Sequence, residues 1–134
     1  MAQAPRNSLP AVISRELSNA QASRPASVGI LDELAGHGFS EPELFDFVVP
    51  RRTLARRRQA GGELSPEESD RAVRLARLTE MAERIFGDPA KAHRWMRKPS
   101  PMLEGSIPLA LMKTETGAHL VEQALYRIEY GMFA

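Results

Sequence analysis

Arginine is the residue whose placement in this chain could do chemistry. Residues 51–58 read RRTLARRR and are followed by Gln59. Pro50 sets φ for a helix start, where its missing N–H is not needed. Gly61-Gly62 ends the run as a glycine just past a helix does. On a helical wheel Arg51, Arg52, Ala55, Arg56 and Gln59 share one side, while Leu54 points away from it. A short helix anchored by one apolar face, with arginines and a glutamine on the other, fits a DNA major groove. Arg51 and Arg52 lie near the N-terminus, where base edges are reached, and Arg56 and Gln59 lie a turn further on. An arginine forked onto guanine contributes about 1–3 kcal/mol of discrimination. Arg57 and Arg58 read as phosphate contacts. The same residues also describe a solvated face, or a site for nucleotide-like anions or RNA.

Other chemistry is thinly represented. His37, His93 and His119 fall in separate elements, with no acidic or cysteine partner at ligand spacing, so no metal site is expected. Trp95, the only tryptophan, is expected to anchor a core, with its indole N–H on a backbone carbonyl. There is no G-x-S-x-G, no Walker sequence and no histidine beside a poised nucleophile. The expectation is a protein that is not an enzyme and needs no cofactor. Net charge is +1, so no global field favours nucleic acid and the arginine block matters because it is local. The chain has no cysteine and no apolar run near the roughly 20 residues that cross a bilayer, which suits a cytoplasmic protein with no membrane contact.

The elements that position the arginines follow from caps and periodicity. Residues 1–24 read as a flexible segment, with a short helix possible over 11–22 on Val12, Ile13 and Leu17; a transit peptide is the less favoured alternative. Val28, Leu31 and Leu34 form one stripe of a helix closed by Gly36-His37-Gly38. Ser40 and Glu43 make a capping box for a helix over 41–47, with Leu44, Phe45 and Phe47 on its buried side. Val48-Val49-Pro50 then turns the chain into the arginine helix, which is helix-turn-helix order and favours DNA over the other readings of the basic face.

Ser65, Pro66 and Glu68 open a long helix through Phe86 with a second capping box. Its inner face is Leu75, Leu78, Ala82 and Ile85. Glu67/Arg71, Asp70/Arg74 and Glu80/Arg84 are acid-before-base pairs, each contributing about 0.2–0.5 kcal/mol. Asp88-Pro89 starts the next helix. Residues 98–105 read as an ordered, proline-rich loop, and residues 106–112 as one short turn. Thr114 caps a last helix whose inner stripe is Ala118, Val121, Leu125 and Ile128 and which Gly131 ends. No segment alternates convincingly, so the fold class is all-α.

From Val48 onward, about two-thirds of the chain resembles the Xre/MbcA/ParS-type antitoxins of bacterial toxin–antitoxin modules, in family order. The likeness rests on VVPRRTLARRR, LSPEESDRAVRLAR, IFGD-x-x-KAHRWM, the spacing of Pro99, Leu103, Gly105 and Pro108, then TETGAHLVEQAL and RIEYG. The upstream part matches the looser Xre-like helix-turn-helix pattern, and ParS-like is the nearest label. Ser100 stands where asparagine is expected.

The resemblance implies a partner: a RES-domain toxin that consumes NAD⁺, degrading it or transferring its ADP-ribose to a protein. It implies that the C-terminal domain binds this toxin, that the terminal segment blocks the NAD⁺ cleft, and that the N-terminal domain self-associates and represses its own operon. By analogy the toxin contacts are Arg127, Glu129, Tyr130, Met132, Phe133 and Ala134. From the residues alone, Met132-Phe133 could equally fold back on the chain's own core; burial against a partner would contribute roughly 1.5–3 kcal/mol for each.

The expected organisation is a flexible segment (1–24), a helix-turn-helix DNA-binding and dimerisation module (25–62) and a toxin-binding domain (63–134). The expected partners are the toxin, operator DNA and a second copy of the chain, in a homodimer or a higher hetero-oligomer with toxin. The rival readings are a transcription factor whose C-terminal domain only oligomerises, and a small enzyme built around Trp95 and His93.

Overall fold

The computed structural model describes residues 26–131. The expected flexibility of residues 1–24, the helix over 11–22, and the contacts of Met132, Phe133 and Ala134 lie outside the described residues. Those described are helical: α1 (Gly29–Gly36), α2 (Glu41–Phe47), α3 (Arg51–Gln59), α4 (Pro66–Phe86), α5 (Pro89–Met96), α6 (Pro108–Leu111) and α7 (Glu115–Glu129). A 3₁₀ turn covers Pro101–Leu103. Extended pairing among the described residues is limited to the isolated bridges Ser27–Glu63 and Ser100–Ser106, so the fold is all-α. The chain divides into two compact units, with the division at Ala76/Arg77 inside α4.

In the first unit the caps form as their spacing requires. The Ser40 hydroxyl accepts the Glu43 N–H at 3.3 Å and the Glu43 carboxylate accepts the Ser40 N–H at 3.0 Å. At α4 the same exchange joins Ser65 and Glu68 at 2.7 and 3.1 Å, each box satisfying donors a helix start leaves open. Ile30, Leu31, Leu34, Leu44, Phe47, Val48, Val49 and Leu54 are buried. Phe45 departs from expectation: it is only half-buried, and the Arg51 guanidinium lies 5.4 Å over its ring. After α3, Gly62 N–H returns to the Arg57 carbonyl at 2.8 Å, a reach that needs the left-handed backbone of Gly61 and Gly62. Residues 62–64 then run antiparallel to 26–28, through Val28 N–H to Gly62 carbonyl and Leu64 N–H to Ala26 carbonyl.

In the second unit the last helix lies alongside the end of α4. Arg77 meets Glu122 at 2.8 Å and Arg84 meets Glu129 at 2.9 Å. Both partners advance by seven residues, so the helices run parallel at this contact with a two-turn repeat between rungs. Arg84, which local spacing pairs with Glu80, is carried to Glu129 by that packing. The Ser100 N–H donates to the Ser106 carbonyl, while the Ser100 carbonyl accepts from Leu103 and Gly105. Backbone groups therefore close this loop with serine in place of asparagine. At the mouth of α7, Thr114 caps the Gly117 N–H at 3.0 Å.

Gly117 is buried, and a Cβ built there would overlap the Leu111 carbonyl. Gly117→Ala should therefore lower unfolding free energy by about 1–3 kcal/mol or more through overpacking, read as a reduced urea midpoint. Gly36→Ala, where a Cβ meets nothing within 4 Å, is the matched control and should shift the midpoint far less.

Candidate functional site

The basic helix is built outward from Leu54, the residue α3 buries. Opposite Leu54, Arg52, Arg56 and Gln59 are exposed and have no ionic or hydrogen-bond partner among the described residues. Arg51 is also exposed but rests on Phe45. Arg57 is half-buried, its Nε 3.4 Å from the buried carboxylate of Glu68. Arg58 Nη2 stands 3.6 Å from the exposed Asp32 carboxylate. The arginines the sequence treats as one set are thus of two kinds: those free for a ligand, and those engaged by their own chain. Beside the helix an open groove of about 330 Å³ is floored by Leu31, Leu44 and Leu54 and edged by Phe45, Arg51 and Arg58.

What aims α3 is a contact that local sequence does not advertise. The Arg71 guanidinium, from α4, donates twice to the Val48 carbonyl, from Nη2 at 2.8 Å and Nε at 3.2 Å. Val48 lies in the buried turn between α2 and α3, where a carbonyl without a partner is costly. The turn and the helix after it are therefore held from α4. The exposed arc of α3 thus presents fork-shaped guanidinium donors beside an uncharged amide that can both donate and accept.

The second candidate surface is α7. Gly117, Ala118, Val121, Ala124 and Leu125 are buried, and the opposite arc carries Leu120, Tyr126, Arg127 and Tyr130. Leu120 is 45% exposed, Tyr126 44% and Tyr130 67%, enough apolar surface on one helix to suggest a covering partner. The Tyr126 and Tyr130 rings stack at 6.5 Å with planes 16° apart. Of the residues assigned to toxin contact, Arg127 is exposed, Tyr130 is exposed and stacked, and Glu129 is engaged by Arg84. Sequence reasoning missed Leu120 and Tyr126; the four-residue step from Tyr126 to Tyr130 puts the two tyrosines on one face, whereas no such spacing signals Leu120.

The residues offered to an enzymatic reading are engaged in packing. Trp95 is half-buried against Phe86, ring centroids 5.7 Å apart, and its neighbour Met96 is the fully buried anchor. The indole therefore sits at the edge of the core rather than within it. His93 Nδ1 is 2.9 Å from Arg97 and its Nε2 3.5 Å from Glu83, a carboxylate partner that only the helix packing reveals. No group of metal-ligating side chains converges among the described residues. No helix among them is long and apolar enough to cross a membrane.

Comparison with known proteins gives two family matches in tandem. Residues 18–77 match the antitoxin Xre-like helix-turn-helix domain, and residues 81–131 the antitoxin Xre/MbcA/ParS C-terminal toxin-binding domain. The chain is 38% identical over 101 residues to an "Antitoxin Xre" of Pseudomonas putida, covering 75% of this chain and 64% of that protein. It is 41% identical over 87 residues to an "Antitoxin Xre" of Yersinia enterocolitica, covering 64% of this chain and 59% of the relative. A "Prs ADP-ribosylating antitoxin" of Sphingobium sp. is 31% identical over 101 residues, 68% of this chain and 64% of that protein. The chain thus spans less than two-thirds of the length of these relatives.

Arg71→Met keeps the length of the side chain and removes its donors. It should destabilise the first unit by about 1–3 kcal/mol, the cost of leaving a buried carbonyl unsatisfied, seen as a lowered denaturant midpoint. Amide exchange should quicken in 48–52 before it changes in 115–129; uniform protection would mean that Arg71 does not hold the turn.

Proposed function

We propose, from the premise that the chain belongs to the Xre/MbcA/ParS antitoxin family, that it neutralises a RES-domain, NAD⁺-consuming toxin and represses its own operon. The carrying observation is the toxin-binding-domain match over residues 81–131, whose last helix leaves Leu120, Tyr126 and Tyr130 uncovered. The Sphingobium relative's name, with its reference to ADP-ribosylation, supports a toxin of that chemistry. In this reading the segment from Arg127 enters the toxin's NAD⁺ cleft. Arg127 and Tyr130 make contact from the helix, Glu129 contributes beside them, and Met132, Phe133 and Ala134 extend the contact to the chain end. The chain supplies no catalysis and needs no cofactor; it acts by steric exclusion, in the cytoplasm.

The second activity belongs to the exposed face of α3. Its free donors, the helix-turn-helix match and the fixed α2–α3 turn support operator binding. A module of this kind reads paired half-sites as a dimer. We assign self-association to the helix-turn-helix module of residues 25–62 and toxin binding to residues 63–134, in a homodimer or a larger assembly with toxin.

Co-expression with a RES-domain toxin should restore growth, and absence of rescue would leave a regulator whose C-terminal domain only oligomerises. Removing residues 131–134 should weaken inhibition of NAD⁺ consumption at least about tenfold, the loss of one or two buried apolar side chains. The far-ultraviolet circular dichroism of the truncated chain should match the parent. Unchanged inhibition would remove the cleft-blocking reading.

A further inference from the structure

The polar residues of α3 divide by what already holds them. Arg57 is tied to buried Glu68, Arg58 faces Asp32, and Arg51 lies on the Phe45 ring. Arg51 and Arg58 flank Leu54 on the side that edges the groove. Arg52, Arg56 and Gln59 stand on the outermost arc, exposed, with no polar partner among the described residues. They follow one another by four and three residues, the spacing of a single stripe along an α-helix. At 1.5 Å rise per residue, the stripe places its groups about 6 Å and then about 4.5 Å apart along the axis. Stacked base pairs repeat at about 3.4 Å, so three side chains in this row span about four base pairs.

We propose that base reading is confined to Arg52, Arg56 and Gln59, and that they select a half-site presenting guanine to each arginine and adenine to the glutamine. The inference rests on the operator-binding reading above. A guanidinium fork matches the O6 and N7 acceptors of guanine, and a glutamine amide matches the N6 donor and N7 acceptor of adenine. Arg57 secures the helix to its own unit. Arg51 and Arg58, on the flank, reach phosphate at most, and Asp32 beside Arg58 repels a phosphate there. The ligand is therefore a purine-marked major groove of duplex DNA rather than any polyanion.

The test is selection from a randomised DNA duplex pool with the full chain at near-physiological salt, repeated with R51K, R52K, R56K and R58K. Lysine preserves charge and helix propensity but not the fork, so it separates base reading from phosphate contact without threatening the fold. The parent chain should enrich two guanines and one adenine within about four consecutive base pairs of each half-site. R52K and R56K should each lose one guanine preference, by about 10- to 100-fold in discrimination. R51K and R58K should keep all three preferences.

Loss of guanine preference in R51K or R58K, with R52K and R56K unchanged, would overturn the assignment. So would equal competition by an RNA duplex of the selected sequence, since the A-form major groove hides its base edges from side chains. Salt-dependent retention without sequence enrichment would overturn this inference and leave operator contact as backbone binding alone. No retention of any duplex would remove the DNA-binding reading itself.

Discussion

The first unit depends on one buried carbonyl being met from a distance. Val48 ends α2 inside the core, and its oxygen has left the helix ladder without entering the next one. Arg71 supplies two donors to it from α4. Three residues earlier on that helix, the Glu68 carboxylate closes the α4 capping box and faces Arg57. The start of α4 is therefore more than a continuation after α3. Within this unit it fixes the turn before α3 through Arg71 and meets the second half of α3 through Glu68. A basic helix anchored by a single apolar residue, Leu54, would otherwise have little to set its rotation.

The second unit solves a similar problem with different means. The 15-residue α7 leaves a broad arc uncovered and needs its inner face held firmly. Close approach at Gly117 brings the α6 end against it, Thr114 caps it, and the Arg77–Glu122 and Arg84–Glu129 rungs fix its register on α4. Arg77 and Arg84 are half-exposed, so the rungs contribute little free energy each. Their effect is on register, because a shift of one residue along the helix would break both at once.

Much of this was legible in the sequence wherever the determining interaction is local. The capping boxes at Ser40 and Ser65, the Asp88 and Thr114 caps and the glycine exits are encoded within a few residues, and the helices begin where those signals stand. Burial of Leu54 against an exposed arginine face follows from helical periodicity. Contacts spanning many residues were not legible. Arg71 to Val48 and Arg84 to Glu129 are set by tertiary packing, and each displaces or supplements an i,i+4 pairing that local spacing suggests. The half-exposure of Phe45 and Trp95 was not legible for the same reason: hydrophobicity marks a residue for burial, but tertiary packing decides how far it goes, and each ring ends beside one neighbour, Arg51 or Phe86. The punctuation at Gly61-Gly62 marks where α3 stops, whereas the compact units divide later, at Ala76/Arg77, because the first turns of α4 pack into the first unit.

On the proposed reading, both surfaces are prepared before a partner arrives. Ordering a long side chain at an interface costs about 0.5–1.5 kcal/mol. Tyr130 is already stacked on Tyr126, and Glu129 is already held by Arg84, so the last turn of α7 meets its partner with less of that cost outstanding. The arginine helix gains in the opposite sense. Asp32 and Glu68 draw off Arg58 and Arg57, reducing the local positive field that would bind any polyanion. What remains is fewer free charges in a fixed row, which trades non-specific attraction for discrimination. A chain of net charge +1 has little long-range pull on DNA to begin with, so recognition has to come from where those few groups stand.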